Sequence, residues 1–326
     1  MDTQRRHFQK SAVALALALG TGLGLAQTFP SKPLRIVVGA PAGGTADLMA
    51  RVIGDELTRN LGQPVVVDNK PGGAGVLGLQ EQLKSPRDGH TMLLSVNGLV
   101  SEIPHAVKLP VDPLKELQPL IELARTGLLF VSNAALPVGS VKDAVAHIKA
   151  NPGKVNYASY SPGTLSHTLG LEFNRLMGTD MTHVGYRGSP PALADVVAGH
   201  VSYMFDGPAT SIPMAKGGKV RILATTAPQR LSVLPDVPTF AELGHKDLTE
   251  TAWMGMFITP DVPAPVQARL REVLGQVMAQ PAVRQKFAGL GLDVVNSPSP
   301  DELQQSLVAA SARQAKTLKE IGFKPE

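Results

Sequence analysis

The chain has 326 residues, a formal net charge of +4, 43% hydrophobic residues and 18% charged residues. That is the profile of a globular protein long enough for two α/β units. It contains no cysteine, which excludes disulfides, thiol nucleophiles and Cys-ligated metals. Its eight histidines show neither HxxxH nor HExxH spacing and give no metal site, and no Lys/Arg run interleaved with aromatics marks a nucleic-acid surface.

In chain order, the first segment is basic ("MDTQRRHFQK") and the second apolar ("SAVALALALGTGLGLA"), with small residues at Gly24 and Ala26. This is the layout of an export signal over residues 1–26, cleaved after Ala26. The apolar run from Ala12 to Ala26 is too short to span a bilayer. Arg5-Arg6-His7-Phe8 followed by Lys10 is similar to a twin-arginine signal, and a Sec signal stays open. No later stretch is long and apolar enough to span a membrane, so the mature chain is expected to be exported and soluble.

The mature part alternates. "LRIVVG" reads as a buried strand, Thr45 to Leu61 as an amphipathic helix, "PVVVDN" as a strand, Gly75 to Leu83 as a helix and "HTMLLSV" as a strand. A second series follows: "LLFVSN", helix Val141–Ala150, "VNYAS", helix Leu165–Leu176, "MTHVGY", helix Pro190–Ala198, "VSYMFD" and "VRILATT". Two helices, Ala264–Ala279 and Pro300–Ile321, flank a short strand "LDVVN", and the Pro-rich Leu109–Pro119 and Leu234–Pro238 read as loops. Strands and helices alternating at this spacing predict mostly parallel sheets flanked by helices. No linker interrupts the chain near Leu128 or Trp253. The expected organisation is therefore two lobes with a double crossing: residues 27–127 in lobe 1, 128–252 in lobe 2, and 253–326 returning to lobe 1. A double crossing makes a hinge with a cleft between the lobes, a common place for a small-ligand site.

Two glycine loops invite a nucleotide reading, and both fail it. Gly39 to Thr45 has the spacing of a phosphate loop without its lysine. Gly73-Ala74-Gly75-Val76-Leu77-Gly78 matches GxGxxG, but the region where a ribose-binding carboxylate belongs reads "LLSVNG". Its simpler reading is a turn with close helix packing. What survives at the first loop is a helix start able to bind an anion without a cation, which suits a carboxylate. Ala42, Gly43, Gly44 and Thr45 would present the amides; Asp47 and Arg51 read more simply as an i,i+4 helix pair. The loop Ser161-Pro162-Gly163-Thr164-Leu165-Ser166 repeats the design, with an ordinary N-cap as the alternative. The two loops could face each other across the cleft around one small anion. Ser166-His167 are adjacent, GxSxG is absent, and no triad spacing exists, so a serine hydrolase is a weak rival.

The segments "LRIVVGAPAGGTADLMAR", "VVVDNKPGGAGVLG", "SPRDGHTMLLS", "VNYASYSPGTLSHTLGLEF", "THVGYRGSPPALADVVAGHVSYMFD", "VRILATTAPQRLSVLPDVPTFAELG" and "AWMGMFITPDVPAP" occur in one order. Together they resemble the Bug or TctC-like periplasmic receptors of tripartite tricarboxylate transporters. The resemblance implies a two-lobed Venus-flytrap receptor in the periplasm, a non-enzyme without cofactor or metal, acting as a monomer with a membrane permease. It implies a ligand carboxylate gripped between Pro41–Thr45 and Ser161–Ser166, hence Pro41, Ala42, Gly43, Gly44, Thr45, Ser161, Gly163, Thr164 and Ser166. Deeper residues would set ligand identity: Tyr186, Arg187 and Gly188 from "GYRG", Phe205 and Asp206 from "YMFD", and Trp253, with His167 beside the second loop. Ala40 stands where the family often has an aromatic residue, which predicts room for a longer or bulkier ligand. Leu165 stands where a glycine is frequent. A sensory protein with a membrane signalling partner would share the same pocket.

Overall fold

The computed structural model describes residues 29–320; the export signal expected over residues 1–26 lies outside them. Two five-stranded sheets organise the chain. The first has the order β2-β1-β3-β10-β4, from β1 (Leu34–Val38), β2 (Val65–Asn69), β3 (Thr91–Val96), β4 (Gln118–Gly127) and β10 (Thr251–Ile258). The second has the order β7-β6-β8-β5-β9, from β5 (Leu129–Asn133), β6 (Asn156–Ser159), β7 (Thr182–Gly185), β8 (Tyr203–Asp206) and β9 (Val220–Thr225). In each sheet four strands run one way and one is reversed: β10 in the first and β5 in the second. The reversed strand is in each case the first one formed after the chain crosses over from the other sheet.

Helices cover both faces, so each strand sorts its side chains by alternation. In β1, Leu34, Ile36 and Val38 pack with α1 (Thr45–Leu61) and α10 (Ala264–Ala279), whereas Val37 faces α2 (Val76–Lys84) and α12 (Pro300–Glu320). In β8, Tyr203 and Phe205 join an aromatic core beneath α6 (Val141–Ala150) and α7 (Leu165–Met177). Met204 turns the other way, toward α8 (Ser189–Ala198) and α9 (Pro208–Lys216). Short helices α3 (Gly98–Ser101), α4 (Ile103–Ala106) and α5 (Pro113–Glu116) fill the stretch between β3 and β4, and α11 (Pro281–Gly289) follows α10.

The crossings lie side by side. Leu128 alone separates β4 from β5. Thr226, fully buried, ties the outward and returning segments together: its Oγ1 accepts the Leu128 N–H at 2.9 Å and donates to the Glu250 carbonyl at 2.7 Å. Its own N–H donates to the Leu128 carbonyl at 2.8 Å. Gly127 packs so tightly on Ala227 that a Cβ there would overlap it.

Three sequence expectations need correcting. "LDVVN" is not a strand; it contributes a single bridge, Asp293 with Arg125. Leu109–Pro119 is not all loop, because α5 and the first residues of β4 fall within it. The strand β10 was missed because "TAWMGMFI" contains Gly255, lacks strict alternation and follows a long irregular stretch.

Candidate ligand-binding site

A cavity of about 180 Å³ lies between the two sheets' helical layers, small enough for a metabolite and below the range of drug-sized pockets. Helix starts from both lobes converge on it. Gly44 caps α1, Thr164 caps α7, Gly188 caps α8 and Gly207 caps α9, and all four residues line the wall. None of these four ends is capped by the side chain of its own N-cap residue. First-turn N–H groups and the helix dipole favour negative charge at such ends, although Pro190 and Pro191 in α8 and Pro208 in α9 supply no N–H. Gly75 and Gly98, which open α2 and α3, add two more helix starts to the wall.

The lobes meet where glycines of one lobe leave room for side chains of the other. A Cβ on Gly188 would sit 2.5 Å from Pro41 Cδ, one on Gly207 2.9 Å from Thr45 Oγ1, and one on Gly291 2.5 Å from Pro208 Cβ. One on Gly163 would overlap Ala106. Each pair joins one lobe to the other.

The structure brings Ala40, Pro41, Gly44, Thr45, Thr164 and Arg187 together on the wall. Ala42 and Gly43 lie outside it, exposed to solvent, and the Gly43 N–H donates to Asp47 Oδ2 at 2.9 Å. Asp47 also accepts Arg51 Nε at 3.0 Å, the helix pair read from the sequence. Ser161 and Gly163 are behind the wall: the Ser161 carbonyl accepts Thr164 Oγ1 at 2.7 Å, and Gly163 packs on Ala106. Ser166 is buried and donates to the Phe205 carbonyl at 2.5 Å. His167 is buried, its Nδ1 accepting the Gly163 N–H at 3.0 Å, with its ring stacked 3.9 Å from that of His183.

The deeper residues divide. Tyr186 donates to Asp195 Oδ2 at 2.6 Å, away from the wall. Phe205 belongs to the core, 4.8 Å from Phe130 between ring centroids, and Trp253 stacks on Phe257 at 5.7 Å. Neither lines the cavity. Asp206 is fully buried and acts one layer back: it accepts Tyr160 Oη at 3.0 Å, Thr210 Oγ1 at 2.7 Å and Ser211 Oγ at 2.5 Å. Tyr160 is on the wall. Burial, then the Asp206 charge and hydrogen bond, hold its phenol pKa well above the usual value, so it stays protonated.

Tyr160, Ser189 and Glu102 line the cavity and were not singled out from the sequence. Tyr160 and Ser189 each adjoin a named loop, so extending those loops by one residue would have found them. Glu102 sits in "NGLVSEIPH", where two four-residue helices leave no periodicity to read. The GxGxxG glycines serve close packing: a Cβ on Gly78 would lie 2.7 Å from Gly39 Cα.

A ligand-sized cavity between two lobes joined by adjacent crossings, walled by helix starts, defines the class of two-lobed solute-binding proteins. The chain belongs to the tripartite tricarboxylate transporter receptor family, whose model matches residues 49–323. It is 32% identical over 305 residues to protein BugT of Bordetella pertussis, covering 92% of either chain. It is similar to the structure of the periplasmic binding protein BugD, with TM-score 0.86 and 28% identity over 91% of this chain and 100% of that one. A second similar structure is Rpa4515 of R. palustris with adipate, with TM-score 0.87 and 28% identity over 91% of this chain and 100% of that one. No described helix is long and apolar enough to cross a membrane.

Proposed function

We propose that this receptor is exported by its first 26 residues, closes as a monomer on a small organic carboxylate, and delivers it unaltered to a membrane permease. The observation that carries the reading is the convergence of four helix starts, from both lobes and none capped by its own N-cap side chain, on one small cavity. The relative with adipate supports an organic acid as the ligand class. The Gly44 and Thr45 end of α1 would hold the carboxylate through N–H groups and a hydroxyl, with the Thr164 end of α7 closing the cavity from the other lobe. Charge-assisted bonds of this kind gain strength as closure removes water.

Thermal unfolding against mono-, di- and tricarboxylates, sugars and nucleotides tests it. A ligand at 100 times its Kd adds about 2.7 kcal/mol, a rise of roughly 5–10 °C for a chain of this size. We expect that rise with a few carboxylates alone. Gly44→Asp places a fixed negative charge at the end of α1 and is expected to abolish the rise while a cooperative transition remains. Undiminished affinity in that variant would remove the helix-start cradle from the account.

A further inference from the structure

The cavity wall carries a carboxylate of its own. Glu102, between α3 and α4, lines the cavity, and its Oε2 would lie 2.8 Å from a Cβ placed on Gly98. Its carboxylate accepts the main-chain N–H of Leu165, the first residue of α7. Glu102 belongs to the first lobe and Leu165 to the second, so this bond spans the cleft. It places a protein carboxylate at one of the helix starts that would otherwise receive an anion from outside. The charged group acting on Glu102 is another carboxylate, Glu250. Around it the wall is mostly apolar, with Leu94, Val96, Leu99, Leu128 and Met254.

The wall thus has two neighbourhoods of opposite character. In one, the starts of α1, α8 and α9 meet through the Pro41–Gly188 and Thr45–Gly207 contacts, and Arg187 adds a cation. In the other, Gly98, Glu102, Thr164 and Leu165 gather around the Glu102 carboxyl, which carries its negative charge above about pH 7. A carboxylate offers about four lone-pair positions, and the Leu165 N–H uses one, so Glu102 retains acceptor capacity. A second ligand carboxylate arriving there meets a like charge in a water-poor site, whereas a hydroxyl or ammonium meets an acceptor.

We propose that Glu102 occupies the second-lobe anion seat and makes the cleft select acids with a single carboxylate and a hydrogen-bond donor at the remote end. This rests on the receptor reading above and narrows its ligand class. It sets this chain apart from its relative solved with adipate, a ligand with a carboxylate at each end.

Isothermal titration at pH 8, with matched sets of four to eight carbons, provides the test. Each set contains the α,ω-dicarboxylate, the ω-hydroxy acid, the ω-amino acid and the plain monocarboxylate, titrated into the native receptor and Glu102→Gln. Glutamine retains an acceptor for the Leu165 N–H, and a thermal scan verifies its fold. We expect the native receptor to bind an ω-hydroxy or ω-amino acid at least tenfold more tightly than the matching dicarboxylate. Glu102→Gln should collapse that ratio, with the dicarboxylate gaining tenfold or more. A native preference for the dicarboxylate, or a ratio the substitution leaves unmoved, overturns the role of Glu102 and leaves the receptor reading standing. Absence of heat with every acid in both proteins overturns both.

Discussion

Burial, reinforced by the charge of Glu250, pushes the Glu102 carboxyl up to about 7 against the opposing pull of the Leu165 N–H. The other charged groups nearby are Arg187 on the same wall, Arg313, which acts on Glu250, and His105, which bonds to Ser311 at 2.7 Å. A carboxyl raised in the fold binds its proton more readily there than in the unfolded chain. Its stability contribution is therefore full below about 4.5 and lost as pH rises through 7. Glu102→Gln should unfold at a higher temperature than the native chain at pH 8, by up to about 3 kcal/mol, with the gap closing toward pH 5. Thermal scans at both pH values check this; an equal gap at each would contradict it. His167 and His183 have the opposite sign: burial holds both near 4, and the charge of His183 also lowers His167. Their contribution is present above 6.5 and lost as pH falls through 4. Denaturant midpoints should drop between pH 6.5 and 4, and drop less in His183→Gln. At this scale the cavity-lining positions of Gly44, Thr45 and Thr164 were legible, because a helix start is written in consecutive residues. The sequence could not show that Asp206 reaches the wall through Tyr160 and, by way of Thr210, Ser189, or that Phe205 turns into the core.

Most elements were legible because strands buried on both faces are continuous apolar runs and helices such as α1 repeat every third or fourth residue. The helices α3, α4, α5, α9 and α11 were missed, each nine residues or fewer, and the missed strands, β4 and β10, are those adjoining the crossings. Their pairing has register shifts at Met254/Gly255 and Met256/Phe257, and their identity as strands depends on partners distant in sequence. The same strands position the hinge. Thr226→Val keeps the shape of the side chain but leaves the Leu128 N–H and the Glu250 carbonyl without their side-chain partner. An unmatched buried group costs about 1–3 kcal/mol, so a melting point several degrees lower is expected. A variant that melts with the native chain would mean that water replaces Thr226 in both bonds.

Across the whole molecule, the lobes touch where side chains are missing: Gly188 on Pro41, Gly207 on Thr45, Gly163 beside Ala106, Gly291 on Pro208. Gly207 has φ −70°, a conformation open to any residue, so Gly207→Ala tests the contact without backbone strain. Its methyl should hold the lobes apart, weaken ligand binding at least tenfold, and leave the radius of gyration at saturating ligand larger than native by X-ray scattering. Equal radii would show that closure tolerates the added carbon. These glycine contacts have a consequence outside the cleft. Lobe travel would end where a glycine of one lobe meets a ring, hydroxyl or methyl of the other, so the end point would be set by the polypeptide and not by the cargo's dimensions. Any acid that fits inside would leave the same outer silhouette, and a docking partner reading that silhouette would not need to read the cargo.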